Sequence, residues 1–446
     1  MFLWSSGASR QTIDCLQHCR LSISYDAVLS AIEHTAKGCI ARAQAIARRP
    51  HMISWDNVNF STSNYVEQRS GMPAKVQSGT FPVLYELKDV DPKHLELGPM
   101  LSRALNATDL DFASDVRPSI IQFKSFHSQL KIHVVRILLN YIQEFRDYAT
   151  HSDLQHHPRR LITTCQKKKY FPLRVSTIEE ASTQGNIAVM EDIYITQMGF
   201  QSKDLDNIAI PSVNDQLTNA RIRSAKILRV LDINTFTRMQ NLQVAFRLFH
   251  LCLNLVWALL HIHRGSLTLH GSLTYWFALM EKTRLGCDKP DYHSLLTALM
   301  QILDGIILNA WCAECGYDSL KAYAESKPTA SDLLAISTTI LSKYTTPLPK
   351  SPLPKCDKNP KFHDLEDLPD GEASFDIINQ NLRLLARDLL YVCEVIHATS
   401  AGDWGRVEDI IGNLAMIFRG AGSNNYCTEI LHFIYNMKKV WTPEFA

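Results

Sequence analysis

The sequence predicts a mixed α+β protein in which helices dominate and wrap a small sheet. Long stretches carry apolar residues at helical spacing, whereas runs of strand character are short and fall near residues 51–90 and 170–213. The composition, 46% apolar and 20% charged residues, is typical of a globular protein. A chain of 446 residues is long enough for a large core and for two or three subdomains.

The N-terminal part of the chain predicts one long helix followed by the first strands. Apolar residues from Tyr25 to Arg48 recur at helical spacing, and Pro50 ends the pattern. A short strand is expected at His51–Trp55. Residues 74–87 predict either a hairpin or two short strands, and Pro82 favours an edge position because proline cannot donate to a neighbouring strand.

The remainder is mostly helical. We expect a helix at 120–148, a strand at 208–213 followed at once by a helix, nearly continuous helix from 240 to 344, and a final helical block at 375–440. Residues 347–369 are rich in Pro, Lys and Asp and lack periodicity, which predicts a linker.

Charge and targeting signals set limits on function. The net charge of +1 provides no overall attraction to nucleic acid or membrane, so DNA binding would require a local basic face. The most apolar stretch, at 244–260, contains Arg247, His250 and Asn254, which indicates a buried helix and no membrane span. The N-terminus lacks the pattern of a signal peptide, and the eleven scattered cysteines indicate reduced thiols in an intracellular protein.

Two aspartates follow predicted strands and are candidate metal ligands. Asp56 follows the run Met52–Trp55, and Asp215 follows Ile208–Val213. A divalent cation that binds phosphate needs two or three carboxylates from separate segments, and strand ends hold such groups at fixed separations. The alternative is that both are helix N-caps or turn residues, which is the usual role of aspartate after a strand.

A third carboxylate and a histidine complete the candidate site. Glu429 lies on a predicted helix at 425–435, where it is either half-buried or an ordinary solvated glutamate. His250, within an apolar helix, is either a proton shuttle or a hydrogen-bonded core residue. The other acidic candidates for the third position are Glu372, Asp376, Glu394, Asp403 and Glu408.

Basic residues after Asp215 are candidate phosphate contacts. Arg221, Arg223 and Lys226 lie on the predicted helix, and a second basic stretch covers residues 156–169. The alternative is a solvated helix face. The pair Cys312 and Cys315 lacks a second pair at zinc-finger spacing, so we interpret these residues as packing cysteines. Sequence motifs of nucleotide-triphosphate, dinucleotide, zincin and serine-hydrolase sites are absent in their proper context.

Five short motifs in a fixed order carry a family resemblance. They are Trp55–Phe60 (WDNVNF), Met190–Ile193 (MEDI), Asn214–Ser224 (NDQLTNARIRS), Arg247–His250 (RLFH) and Gly420–Glu429 (GAGSNNYCTE). The sequence resembles domain of unknown function 6589, a family of mushroom-forming fungi, from about Tyr25 to the end. It departs from the expected pattern at Asn214, where we expect a glycine, and the chain looks truncated relative to the family.

The resemblance implies a transposon-derived protein. The order aspartate, aspartate, glutamate, with helical material before the glutamate, is similar to transposases with a ribonuclease-H-like core. Asp56, Asp215 and Glu429 would then bind Mg²⁺ or Mn²⁺, with His250 accessory, in an active or decayed DNA polynucleotidyl transferase located in the nucleus. The alternative is a non-catalytic helical module that binds nucleic acid or protein.

The resemblance also implies a domain order. We expect an N-terminal helical segment at 1–50, the first part of a ribonuclease-H-like core at 51–235 and a helical insertion at 236–346. A Pro-rich linker at 347–370 and a C-terminal helical part at 371–446, which completes the core, would follow.

Overall fold

The computed structural model describes residues 2–61, 76–162, 167–347 and 377–446. The chain divides into two compact units. The first comprises Met1–Leu110, Cys165–Arg247 and Leu431–Ala446, and the second comprises Asp111–Thr164 and Leu248–Ile430. The predicted linker lies outside the described residues apart from Pro347, as does the expected start of the last helical block.

The strands of the described residues form one sheet in the first unit. They are β1 (His51–Ser61), β2 (Val76–Glu86), β3 (Tyr170–Pro172), β4 (Ile210–Asn214) and β5 (Leu242–Phe246), in the order β3-β2-β1-β4-β5. The pairs β1–β2 and β2–β3 are antiparallel, whereas β1–β4 and β4–β5 are parallel. The sheet is therefore small and mixed, and the predicted helix-dominant α+β class is confirmed.

Helices make up most of the other described residues. They are α1 (Phe2–Ser5), α2 (Arg10–His18), α3 (Tyr25–Ala47), α4 (Leu97–Leu105), α5 (Ile120–Tyr141), α6 (Thr183–Glu191), α7 (Gln216–Leu228), α8 (Leu248–His263), α9 (Leu273–Leu279), α10 (Tyr292–Glu314), α11 (Leu320–Glu325), α12 (Ala330–Ile340), α13 (Ile377–Ala401), α14 (Trp404–Gly420) and α15 (Asn424–Tyr435). Short 3₁₀ segments cover Pro92–Leu95, Gln143–Thr150, Ser152–Leu154, Ser202–Leu205 and Thr283–Gly286. Short π segments cover Phe112–Val116, Asp192–Gln197, Leu341–Thr345 and Asn436–Val440.

The first helix matches its prediction, but the first strands differ from theirs. Helix α3 begins after Ser24, whose side chain accepts a hydrogen bond from the Ala27 N–H, and ends at Ala47 shortly before Pro50. Strand β1 is longer than expected because its antiparallel ladder with β2 continues to Ser61. The segment expected to form a hairpin or two strands contributes the single strand β2.

The edge position predicted from Pro82 is wrong, because β2 lies between β1 and β3. The Pro82 carbonyl accepts a hydrogen bond from the Leu173 N–H, so the polar backbone of Pro82 faces β3. Strand β3 is only three residues long and pairs with Val83–Tyr85. Pro82, which has no N–H to donate, therefore lies just beyond the end of this short ladder. Gly79 is required nearby, since a Cβ there would lie 2.4 Å from the Ser176 carbonyl oxygen.

The strand β5 falls within the region that we expected to be helical. Leu242, Gln243, Val244 and Phe246 are buried, and Ala245 is partly buried. A parallel strand covered on both faces gives a continuous apolar run, which periodicity does not distinguish from the start of the following helix. Only the later part of the apolar stretch, from Leu248 onward, is helical, as α8.

The core of the first unit lies around the sheet. Ile53 and Trp55 of β1 are fully buried with Ile193 and Tyr194 and with Ile222 of α7. Helix α3 packs on β2 and β3, and helix α7 packs on α6 and β5. Burial of these large side chains is the main force that holds the sheet and its helices together.

The second unit is a helical assembly. Helix α5 packs against α10, α12, α13 and α14, and the Trp311 indole N–H donates to the Val134 carbonyl at 3.1 Å. Helix α10 is long and apolar enough to cross a membrane by length and composition, and 44% of its apolar window is buried inside the protein. It packs against α5, α8, α12 and α13 within this unit.

Candidate functional site

Asp215 lies directly after β4 and is the N-cap of α7. Its Oδ1 accepts a hydrogen bond from the Thr218 N–H at 2.8 Å, which satisfies one of the unpaired donors of the first helical turn. Asp215 is therefore a helix N-cap, which was the alternative to a metal ligand in the sequence analysis. A cap uses one carboxylate oxygen, so it is compatible with a second role of the same side chain.

Asp56 lies within β1, which continues to Ser61, and therefore does not end a strand as we expected. Its Oδ2 accepts a hydrogen bond from Arg247 Nη1, and its Oδ1 accepts from the Asn57 N–H at 2.9 Å. Arg247, directly after β5, also donates to Ser54 Oγ at 2.8 Å and to the Trp55 carbonyl at 2.9 Å. The guanidinium thus binds three consecutive residues of β1.

Glu180 is an acidic residue near these aspartates that sequence reasoning missed. Its side chain is 5% exposed, and its Oε2 is buried without a hydrogen-bond partner. Burial raises its pKa to about 7, and the charges of Asp215 and Asp56 add to the effect, against smaller lowering contributions from Thr218 and Arg247. No sequence signal marks Glu180, because it lies in the irregular segment before α6.

Three carboxylates of the first unit therefore interact, although they come from three separate segments of the chain. In the described part of the chain, one group of three metal-binding side chains has ligand atoms that all lie within 4.8 Å of one another. This group is His133, His156 and Glu394, and it lies elsewhere. Asp56, Glu180 and Asp215 are thus more widely spaced than a closed metal site requires. Joint binding of a cation would require Asp56 to move relative to Arg247.

The end of β4 is fixed by Asn214, at the position where the family resemblance suggests glycine. Asn214 is fully buried, and its Oδ1 accepts the Trp55 N–H of β1 at 3.0 Å, while its Nδ2 donates to Ser212 Oγ at 2.8 Å. Trp55 Nε1 in turn donates to Asn186 Oδ1 of α6 at 3.1 Å. The asparagine side chain extends the short β1–β4 pairing and so positions Asp215 and Asp56.

Glu429 and His250 belong to the second unit. Glu429 on α15 is 2% exposed, so the alternative of a solvated glutamate is wrong. His250 lies in the first turn of α8, half-buried, with its ring 5.7 Å from that of Phe249. The grouping of Glu429 and His250 with Asp56 and Asp215 stays a prediction.

The competitors of Glu429 in the second unit have structural partners. Glu394 forms an ion pair with Arg406, Asp403 caps α14 and accepts the N–H groups of Arg159 and Arg160, and Glu408 pairs with Arg160. Glu372 and Asp376 lie outside the described residues.

Of the three basic residues of α7, Lys226 faces the interior of the first unit. Lys226 Nζ donates to the Leu242 carbonyl of β5 at 2.5 Å, and burial, followed by the charge of Arg223, lowers the pKa of this lysine to about 8. Arg221 Nε donates to the Ala181 carbonyl at 3.1 Å, and Arg223 is half-buried. The ammonium group of Lys226 therefore points into the first unit. Phosphate contacts by Arg221 and Arg223 stay a prediction.

Comparison with known proteins gives one match. The model of a family of unknown function, DUF6589, matches residues 106–446. The chain belongs to this family. The DUF6589 match includes Glu180, Asp215, Arg247 and Glu429 and begins after Asp56, so the first of the five motifs lies outside it. Neither a curated protein nor a solved structure matches the chain.

Proposed function

We propose that the first unit of this DUF6589 protein binds a divalent cation through Asp56, Asp215 and Glu180 and transfers phosphoryl groups of a polynucleotide. The observation that carries the proposal is the buried Glu180, which interacts electrostatically with Asp215 and Asp56 and whose Oε2 has no hydrogen-bond partner. An unpaired buried carboxylate oxygen is unfavourable unless a proton, a donor or a cation satisfies it.

The arrangement of strands supports the same function. The order β3-β2-β1-β4-β5, in which β2 alone runs opposite to the other strands, is the one expected of a ribonuclease-H-like core. Asp56 on β1 and Asp215 after β4 come from adjacent parallel strands, so the sheet fixes their relative positions. The polynucleotide as substrate rests on the resemblance to transposases, since fold by itself does not define chemistry.

The residues present fit a cation such as Mg²⁺ or Mn²⁺. All three proposed ligand side chains supply oxygen donors, which these ions prefer. A bound cation would neutralise phosphate charge and activate water or a hydroxyl group for attack. Glu180, with a pKa of about 7, is suited to hold a proton until the site is occupied.

Manganese binding to the full chain tests the proposal directly. We expect Asp215→Asn and Glu180→Gln each to weaken Mn²⁺ affinity by about tenfold or more, measured by calorimetry or by electron paramagnetic resonance. Asparagine caps helices as well as aspartate does, so Asp215→Asn preserves α7. The matched control is Glu179→Gln, which changes the exposed neighbour of Glu180.

DNA cleavage provides the second measurement. End-labelled single- and double-stranded DNA is incubated with the full chain in Mg²⁺, in Mn²⁺ and in EDTA. Cleavage that requires the cation and disappears in Asp215→Asn supports catalysis. If the wild-type chain neither binds Mn²⁺ nor cleaves DNA under these conditions, the proposal is wrong.

One observation favours a second candidate, a non-catalytic member of the same fold. Arg247 already supplies a positive charge to Asp56, and a metal-binding carboxylate rarely keeps so close a competitor. On this alternative, Arg247 replaces the cation and the sheet edge is structural. Mn²⁺ binding that Asp215→Asn weakens separates the two candidates, because the non-catalytic one predicts no cation at these carboxylates.

A further inference from the structure

A cluster of histidines occupies the interior of the second unit. The cluster contains His133 on α5, His156 at the start of the basic stretch 156–169, and His397 on α13. Their ring centroids lie 4.2–5.5 Å apart. Glu394 of α13 and Arg406 of α14 complete what we call the histidine cluster. One ligand atom from each of His133, His156 and Glu394 lies within 4.8 Å of the other two.

The hydrogen bonds around His156 fix its tautomer. Gln129 Nε2 donates to the His157 carbonyl at 2.7 Å, so the amide oxygen of Gln129 faces His156 Nδ1, also at 2.7 Å. Arg406 Nη2 also approaches Nδ1, at the longer distance of 3.3 Å. The shorter contact is to an acceptor, so it favours the hydrogen on Nδ1 and leaves Nε2 with a lone pair. That Nε2 is buried and has no hydrogen-bond partner. A histidine held through Nδ1–H, with a free Nε2, has the arrangement of a metal ligand.

His133 has the same arrangement with a proton in place of the ion. Its Nε2 lies 2.7 Å from Glu394 Oε2, and its Nδ1 lies 3.4 Å from Cys393 Sγ. Burial lowers the pKa of His133, but the charges and hydrogen bonds of Cys393 and Glu394 outweigh burial and raise it to about 9. His133 Nε2 and the Glu394 carboxylate thus lie in direct contact, while Cys393 lies at the Nδ1 edge of the ring.

We propose that His133 Nε2, His156 Nε2 and a carboxylate oxygen of Glu394 bind one divalent transition-metal ion of the zinc class. Two imidazoles and one carboxylate are a known zinc ligand set, and the fourth position is open to water. Cys393 lies at the opposite edge of the His133 ring and is not a ligand. His397 is excluded too, since its Nδ1 accepts a hydrogen bond from Arg406 Nη1 at 3.1 Å.

The surrounding groups are suited to hold these ligands. Gln129 and Cys393 bind the Nδ1 edges of the two imidazoles, and Arg406 donates to both oxygens of Glu394, at 2.8 and 2.5 Å. Such outer partners orient metal ligands in proteins. The guanidinium of Arg406 opposes a second positive charge, and the carboxylate of Glu394 offsets part of this cost.

Cobalt and zinc binding to the full chain tests this site. After dialysis against EDTA, we expect one equivalent of the Co²⁺ taken up by the wild-type chain to show the visible absorption of a four-coordinate ion, and Zn²⁺ to displace it. Replacement of His156 by glutamine should weaken binding by about tenfold or more.

Two control variants separate this site from other effects. His397→Gln changes a histidine of the cluster that is not a ligand, and Asp215→Asn changes only the proposed site in the first unit. Both should retain Co²⁺ uptake. Circular dichroism and thermal melting establish that each variant is folded before binding is compared.

X-ray absorption at the zinc edge of the wild-type chain needs no variant at all. We expect nitrogen and oxygen neighbours at about 2.0–2.2 Å with imidazole scattering, and no sulfur at about 2.3 Å. The proposal is overturned if the wild-type chain takes up no Co²⁺ or Zn²⁺, if folded His156→Gln binds as tightly as wild type, or if the zinc has sulfur neighbours. In each of these cases the cluster is a closed network of ion pairs.

Discussion

Arg247 donates a hydrogen bond to the carboxylate of Asp56, and the same guanidinium binds Ser54 Oγ and the Trp55 carbonyl. The first residue after β5 is thereby linked to β1 across β4, which lies between the two strands. The Ser54 hydroxyl in turn donates to the Val213 carbonyl of β4. Arg247 thus stabilises the sheet and also competes with any cation for Asp56.

Replacement of Arg247 should separate these two effects. We expect Arg247→Met to lower the free energy of unfolding by about 1–3 kcal/mol, because the partners on β1 lose their donors, with solvent limiting the loss at this partly exposed side chain. The same variant should bind Mn²⁺ more tightly, since Asp56 loses its competing cation. Urea denaturation and Mn²⁺ titration check the two outcomes, with the exposed Arg174→Met as control. Unchanged or weaker Mn²⁺ binding would contradict a competitive role.

Glu180 should make the protein less stable as the pH rises toward neutrality. The folded protein raises the pKa of this carboxyl from 4.5 to about 7, so between these values the folded state binds more protons than the unfolded state. The stability of the wild-type chain should therefore fall across this window, by on the order of 3 kcal/mol from this group.

The matched variants isolate this contribution. Glu180→Gln should remove most of the pH dependence and be more stable than wild type at pH 8, whereas Glu179→Gln should follow wild type. The measurement is urea denaturation at intervals from pH 4.5 to 8. A saturating divalent cation should restore stability to the wild-type chain at pH 8, since binding to the folded state stabilises it.

His133 should produce the opposite sign in the alkaline range. Its pKa is raised from 6.5 to about 9, so its stabilising contribution is complete below about pH 6.5 and is lost as the pH rises through 9. The groups that face it are Cys393, Glu394 and His156, with Arg406 behind Glu394. We expect stability to fall from pH 7 to 9.5 in wild type.

Replacement of His133 should flatten that dependence. His133→Gln should be less stable than wild type at pH 7, because the buried Glu394 loses a charged partner, and should change little toward pH 9.5. Denaturation in EDTA at both pH values measures the effect without metal. A variant with the slope of wild type would mean that another group titrates in this range.

Asn214 should be essential for the junction of β1 and β4. Replacement by the glycine that the family resemblance suggests removes the acceptor of the buried Trp55 N–H, and the unpaired donor should cost about 1–3 kcal/mol of stability. The exposed Asn207→Gly is a suitable control for the effect of glycine on the unfolded chain. Equal losses in the two variants would show that the Asn214 side chain contributes nothing specific.

Local patterns predicted part of the fold correctly. The helix that begins at Tyr25, the strand before Asp215 and the capping role open to that residue all depend on neighbours within a few positions, which sequence shows directly. The strand β5 was missed for a physical reason. A strand buried on both faces has the same unbroken apolar pattern as a buried helix, and here it runs directly into one.

The amino-acid sequence by itself determined the class of the protein, its membership of the DUF6589 family, and Asp56 and Asp215 as the acidic residues to consider. Only the tertiary structure decided their surroundings: the guanidinium on Asp56, the buried carboxyl of Glu180 beside both aspartates, the inward Lys226, and the cluster of His133, His156 and Glu394. These contacts join residues up to 261 positions apart. Burial and charge depend on which segments pack together, and no local pattern in the chain specifies that.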